Sequence, residues 1–254
     1  MRVAVHVPKI ADTASPWYPT RSMTVSKNEE HFLCLRASPG KMDRLWAEGW
    51  RHFGIVFVRY RTSVHGGKRF TVLPLRVDLE RFTLSRGQKR VLAKNRDAKI
   101  ILRPTSIDAE KESLFEKHRL RFEENAPTSL FNFLSPNPAA APCANLELCI
   151  YIGDKLRGVT FLDLGAAATS AVYAIFDPIE AKRSLGILMM LHSIHFSRQQ
   201  GCRYYYPGYA YREPFTYDYK KRFSGLEYLD WSKGWKPYER SRDPLSLTRK
   251  GVLS

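Results

Sequence analysis

Asp177, Arg183, Ser184 and Gly186 fall within one short run, FDPIEAKRSLG, which offers two kinds of chemistry. Asp-Pro opens a turn, and the carboxylate of Asp177 can hold a cationic group; its plain alternative is to cap that turn. Ser184 is of the residue type that N-caps a helix, here one with Leu185, Leu188, Leu191 and Ile194 on its inward face. Free N–H groups at such a helix start attract an anion or a developing oxyanion. Arg183 and Gly186 add a cation and a small residue at the same place, and a well-capped packing helix is the simpler alternative. Downstream come the aromatic run Tyr204-Tyr205-Tyr206-Pro207-Gly208-Tyr209 and the basic segment Tyr219-Lys220-Lys221-Arg222-Phe223. Tyr206 and Tyr209 can stack on a base or relay a proton, or can stand as half-buried strand residues. Lys220 and Arg222 are of the type that meets phosphates. A further cationic stripe, Arg86, Lys89, Arg90 and Lys94, has the spacing of one helical face and suits phosphate contacts that carry no sequence information; otherwise it is a solvated face.

The elements that must position these residues are legible from periodicity. Met42, Leu45, Trp46, Gly49, Trp50 and Phe53 recur at helical steps, with Gly54 placed to end that helix. IVFVRYR reads as a strand, His65-Gly66-Gly67 as a turn, and FTVLPLRV as a second strand whose Pro74 predicts a sheet edge. Ser85 and Gln88 have the spacing of a capping box and predict a basic helix over 85–97. KIILR is a short strand, and residues 108–124 return to helical spacing with Leu114, Phe115, His118 and Phe122 on one side. TSLFNFLSPNPAAAPCAN reads as a loop or lid. Three strands follow, LELCIYI, LRGVTFLDL and TSAVYAIF, with Gly153-Asp154-Lys155 as the first hairpin connection. Then come a helix from about 185 to 200, the strand CRYYYPGYAY, and a basic, poorly patterned tail from about Lys236. His192 and His195 read as core histidines of that helix, and Trp46 and Trp50 as core of the first one.

Composition sets outer limits. The chain has 254 residues, 44% hydrophobic and 26% charged, as in ordinary globular proteins. Charge is the departure: 41 basic against 25 acidic residues give +16, a field that draws polyanions. Cys34, Cys143, Cys149 and Cys202 form no C-x-x-C pair, so neither a zinc site nor a disulfide framework is expected, and the thiols read as buried and reduced. The N-terminus lacks a signal-peptide pattern and no apolar stretch is long enough for a membrane span. A cytoplasmic protein is the expectation.

Order and spacing then point to a family. Ser170, Val172-Tyr173, Phe176-Asp177-Pro178, Ser184-Leu185-Gly186, the tyrosine run and Tyr219-Lys220-x-x-Phe223 resemble the C-terminal half of the arginyl/leucyl-tRNA–protein transferases. AEGWRHFG with FVRYR, then LPLRV, then FTLSRGQKRVLAKNRD resemble the preceding half, so the likeness spans roughly 42–231. The same order of strands, helix and strand is similar to the GNAT acyltransferase core. The resemblance implies an α+β fold: an N-terminal α/β half over 1–104, then a GNAT-like domain over 105–254 with a mixed, largely antiparallel sheet. It implies transfer of an amino acid, arginine or leucine, from aminoacyl-tRNA to the amine of a protein or peptide N-terminus. No dissociable cofactor is expected, because the tRNA ester carries the activation. Asp177 would then hold the attacking amine or an arginyl guanidinium, and Ser184 with the following N–H groups would receive the oxyanion. Tyr206 and Tyr209 would meet the terminal adenine or relay a proton. Lys220 and Arg222 would sit by the last phosphates, and Arg86, Lys89, Arg90 and Lys94 along the acceptor stem. The family's C-x-x-C before the LPLRV strand is missing, since residues 61–68 hold no cysteine. The metal centre that those cysteines bind in the family is therefore not expected here. Three alternatives remain open at this level: an acyl-CoA-dependent N-acetyltransferase, a relative that aminoacylates a small molecule or one dedicated peptide, and a non-enzymatic RNA-binding derivative.

Overall fold

The computed structural model describes residues 29–122 and 126–239. Strand β1 (Glu29–Leu33) is followed by helix α1 (Pro39–Ala47), which is shorter than its periodicity predicts. Ser38 caps its start, with Pro39 just inside. At its end Gly49 takes φ +86°, while the amides of Gly49 and Trp50 return to the carbonyls of Trp46 and Leu45. That pattern closes the helix before Trp50 and Phe53, so these residues belong to the turn and to β2 (Arg51–Phe53). β3 (Val56–Tyr60) lies between β1 and β2 in a three-stranded antiparallel sheet.

The main sheet has nine strands. β4 (Thr62–His65) and β5 (Lys68–Asp78) form the hairpin expected at Gly66-Gly67. β5 is an interior strand, between β11 (Leu226–Asp230) and β10 (Tyr204–Tyr211), and this corrects the edge expected from Pro74. The proline is accommodated because β4 pairs with residues 68–71 and β11 with 75–77, leaving Pro74 between the two stretches and opposite Tyr209. The sheet order is β12 (Gly234–Pro237), β11, β5, β10, β9 (Ala168–Phe176), β8 (Lys155–Leu164), β7 (Asn145–Ile152), β6 (Ala98–Pro104). One sheet thus runs across residue 104. Lys236 lies in β12 rather than in an unpatterned tail; the rest of that tail, from 240, is outside the described residues.

Every pairing is antiparallel except that of β9 with β10. This is an α+β fold with a mixed, largely antiparallel sheet. α2 (Arg86–Lys94), started by the capping box of Ser85 and Gln88, packs with α4 (Leu185–Gln199) over one face. Leu73, Leu75, Val77, Leu191, Ile194 and Tyr205 share a core there. α1 and α3 (Ala109–Arg119) contact β9. The predicted lid is packed structure instead: Leu130, Phe133 and Leu134 are at most 4% exposed and fill the core around α3. Its Pro, Ala and Asn content set the expectation, but its few large apolar side chains decide the outcome. No helix among the described residues is long and apolar enough to cross a membrane.

Candidate active site

β9 and β10 pair only through Ala168–Ser170 and Tyr204–Tyr206, and beyond these residues the two parallel strands part. Past that point β10 carries a register irregularity between Tyr205 and Gly208. Strands that separate leave backbone groups unpaired, and here a side chain fills the gap. Arg51, from the small sheet, donates through Nη1 to Ser170 Oγ at 2.5 Å and through Nη2 to the carbonyl of Ala171. The fork uses two of its donors and leaves the others for a ligand.

Lys220 approaches the same point from the 3-10 turn of residues 216–222, donating to the carbonyl of Tyr209 at 3.2 Å. Gly208 shows how close the two cations lie. With φ +95°, the position its Cβ would take is 3.4 Å from Lys220 Nζ and 3.6 Å from Arg51 Nη2. A glycine here keeps the floor open. Burial, reinforced by the charge of Arg51, lowers the Lys220 ammonium to about 7. At neutral pH this lysine is therefore divided between its two protonation states. Arg51 also falls below its usual range through burial, but its far higher starting point keeps it charged.

Aromatic rings wall the opening. Tyr60 meets Tyr209 edge to face at 5.2 Å, and Tyr209 donates to the carbonyl of Gly49 at 2.6 Å. Tyr217 lies under Lys220 at 5.2 Å. On the other side Tyr173 stacks on Phe133 at 3.6 Å. Burial raises the phenol pKa values of Tyr173, Tyr217 and Tyr219, and the charge of exposed Arg121 opposes that in all three. Arg121 sits over Phe176, 4.3 Å from the ring, and Phe176 in turn borders Gly186 at the start of α4. The opening between the strands thus leads to the helix start.

At that start Ser184 has φ 58° and ψ 46°, the one positive φ outside glycine among the described residues. Its hydroxyl makes no cap bond, contrary to the expectation, because the left-handed backbone turns it away from the amides. The residue instead ends the 3-10 turn of 178–183, and its carbonyl accepts the first helical bonds, from Ile187 and Leu188. The amides of Leu185 and Gly186 precede those bonds. Beside them runs α2: Lys94 donates to the carbonyl of Lys182, Asn95 to that of Arg183, and Arg183 pairs with Asp97 and Glu180. Arg86, Lys89, Arg90 and Lys94 are exposed.

Other expected residues lie elsewhere. Asp177, 5% exposed, is occupied by Arg157 at 2.6 Å, by the amide of Ile179 and by Lys117 at 3.7 Å. Tyr206, 4% exposed, is packed between Trp46 and Trp235, which leaves no ring face for a base; burial raises its phenol to about 12. Arg222 is exposed on the 3-10 turn. The sequence reading missed Arg51, Tyr60, Tyr173 and Arg121. Arg51, Tyr60 and Tyr173 lie inside segments that carry the family resemblance, but nothing there singles them out as site residues, and Arg121 stands in an ordinary helical pattern.

A single parallel strand pair that parts around two cations, approached from a basic helix face, defines a cleft suited to an anionic chain with a reactive end. The sequence matches the family described as "Arginine-tRNA-protein transferase, C terminus" over residues 55–230. This protein belongs to that family of aminoacyl-tRNA–protein transferases. An "Aspartate/glutamate leucyltransferase" of Leptospira interrogans is 32% identical over 209 residues, covering 80% of this chain and 75% of that protein. One of the same name from Helicobacter hepaticus is 29% identical over 204 residues, covering 78% and 83%. Among solved structures, L-PGS from Bacillus licheniformis overlaps with a TM-score of 0.44 at 11% identity, covering 74% of this chain and 53% of that one. A tandem GNAT protein of clavulanic acid biosynthesis gives 0.41 at 10% identity, covering 84% and 65%.

Proposed function

We propose that this protein transfers leucine from leucyl-tRNA to an N-terminal aspartate or glutamate of a protein or peptide. The observation that carries the reading is the meeting of Arg51 and Lys220 at Gly208, on the floor of a tyrosine-walled cleft. A cationic floor suits an acidic acceptor side chain, and the names of the relatives favour the same donor and acceptor. Arg51, permanently charged, is the group for the acceptor carboxylate. The tRNA approaches along Arg86, Lys89 and Arg90 by phosphate contacts, with its 3′ end entering past Gly186, Phe176 and Arg121.

The ester is already activated, so the reaction needs position, proton transfer and charge stabilisation. The acceptor amine adds to the ester carbonyl and forms the C–N bond. Lys220, in its neutral form, takes the proton that the amine must lose. The C–O bond then breaks, and that proton goes to the leaving ribose oxygen. The charge of Arg51, beside Lys220, is the donor available to the oxyanion. No dissociable cofactor enters this scheme, and a tRNA donor places the work in the cytoplasm.

The test is transfer from a mixture of isotopically labelled aminoacyl-tRNAs to peptides with different first residues, read by mass spectrometry. A leucine increment on Asp- and Glu-initiated peptides alone is the expected result. An arginine increment would replace the donor, and equal transfer to Asn, Ala and Lys N-termini would remove the role given to Arg51. Absence of transfer with tRNA binding intact would overturn the proposal in favour of a dedicated acceptor or an RNA-binding derivative.

A further inference from the structure

Next to Arg51 of the cleft floor, three side chains from distant parts of the chain converge in the interior. His52 lies in β2, Cys143 just before β7, and Asp163 near the end of β8. They are 6%, 4% and 1% exposed, and their donor atoms all lie within 4.8 Å of one another. We propose that His52, Cys143 and Asp163 form a binding site for a divalent transition-metal ion of the zinc type.

The donor set is the first argument. Imidazole, thiolate and carboxylate together suit a borderline-soft ion that favours tetrahedral coordination. The outer partners are the second. His52 Nδ1 faces the carbonyl of Gly54 at 2.8 Å, which fixes Nε2 as the ring atom turned to Asp163. Asp163 Oδ1 accepts from Asn145 Nδ2 at 2.7 Å, leaving Oδ2 for the centre. His52 and Asp163 therefore each have the kind of supporting contact that orients metal ligands.

Enclosure is the third argument: a cation taken into the interior needs several polar partners at once, and this buried group gathers three donor atoms in one place. Geometry asks for a modest adjustment. Donors around a tetrahedral ion stand about 3.3–3.6 Å apart, so the His52–Asp163 contact opens and the sulfur closes in. Three protein donors leave one position for water. The ion would tie the small sheet to the main one through His52, the residue next to Arg51, and so fix the floor of the cleft.

The test uses full-length protein, stripped with chelator and titrated with Co2+ alone. The expected result is one equivalent bound, with the d–d bands of tetrahedral Co2+ and a near-ultraviolet thiolate-to-cobalt band. Cys143→Ser should lose the charge-transfer band, and His52→Gln should weaken binding by at least about 100-fold, judged against ligand-shell losses of that order. Cys34→Ser is the control and should keep the band. Zinc should raise the melting temperature of the wild type and not of Cys143→Ser, a readout independent of transfer. Absence of tetrahedral bands in the wild type would overturn the proposal. So would a band or a zinc-dependent melting shift that survives in Cys143→Ser, or one that disappears in Cys34→Ser instead.

Discussion

Replacing Lys220 by glutamine tests the proposed chemistry at its most exposed point. The wild-type lysine is lowered to about 7, mainly by burial and further by Arg51. Its neutral fraction then rises from roughly a tenth at pH 6 to roughly nine-tenths at pH 8, while a free N-terminal amine titrates near 7.7–8.0. If both groups must be neutral when the amine adds to the ester, the acid limb of log(kcat/KM) against pH has a slope of about 2, because that ratio reports free enzyme and free substrate. Without Lys220 only the amine titrates, and the slope falls to about 1. Loss of a positioned base also lowers kcat by about 10²-fold or more. The assay is initial-rate transfer of labelled leucine to an Asp-initiated peptide far below its KM, between about pH 5.5 and 7.5, a range that brackets the titration and spares the tRNA ester. Lys220→Arg separates the two roles open to this side chain. Arginine keeps the cation but holds its proton, so it restores carboxylate or phosphate binding and not proton transfer. Equal slopes in wild type and Lys220→Gln, or full rescue by Lys220→Arg, would refute the reasoning.

The same shift has a consequence for stability. Lys220 binds its proton more weakly folded than unfolded, so the unfolded chain holds more protons between about pH 7 and 10 and stability rises with pH across that window. Below it the penalty is fully present, and Lys220→Met should raise stability at neutral pH by up to about 2–4 kcal/mol, read as a higher Tm. Arg51→Gln should reduce kcat/KM for Asp- and Glu-initiated peptides by about 10–100-fold more than for an Asn-initiated one, as measured by competition between the peptides. Neutralising Arg86, Lys89 and Arg90 together should lower the magnitude of the slope of log affinity for tRNA against log salt by about 2–3; an unchanged slope would make the stripe a solvated face. Asp177→Asn should lower stability by about 1–3 kcal/mol in a denaturant melt, because Arg157 loses the nearer of its two carboxylate partners, and should leave kcat within about twofold.

What could be read in advance followed from local rules. The capping box of Ser85 and Gln88, the hairpin at Gly153 and the apolar face of α4 each lie within a few residues, and the structure forms all three. The failures share a cause as well. The helix expected through Phe53 stops at Gly49, because two backbone bonds and a positive φ outweigh a favourable apolar spacing. Pro74 sits inside the sheet because its partners on one side divide around it, a fact of pairing that no single strand encodes. Tyr206 and Tyr209 are neighbours in one aromatic run, yet the irregularity before Gly208 helps send the first into the α1 core and the second to the cleft. The floor itself was unreadable. Arg51 and Lys220 stand near opposite ends of the chain, and nothing in either local pattern names the other.

The basic residues thereby separate into two populations with different physics. Those of α2 are exposed and act through a screened, additive field, which suits a long polyanion and needs no fixed geometry. Arg51 and Lys220 are few and enclosed, and each feels the other. Placing two cations together in such a site would be unfavourable if both kept their charge. The difference in their intrinsic proton affinities resolves the conflict: the guanidinium stays charged and the ammonium yields its proton. One crowded pair thus supplies an anion receptor and a proton acceptor a few ångströms apart. An acidic N-terminal residue brings a carboxylate and an amine joined by a short spacer, and needs those two groups at about that separation. Binding the carboxylate to Arg51 would also offset the charge that depresses Lys220, so the lysine's proton affinity should rise once the acceptor is seated. The acceptor would then strengthen the base that serves it, and the acid limb of kcat should lie at higher pH for an Asp-initiated peptide than for an Asn-initiated one.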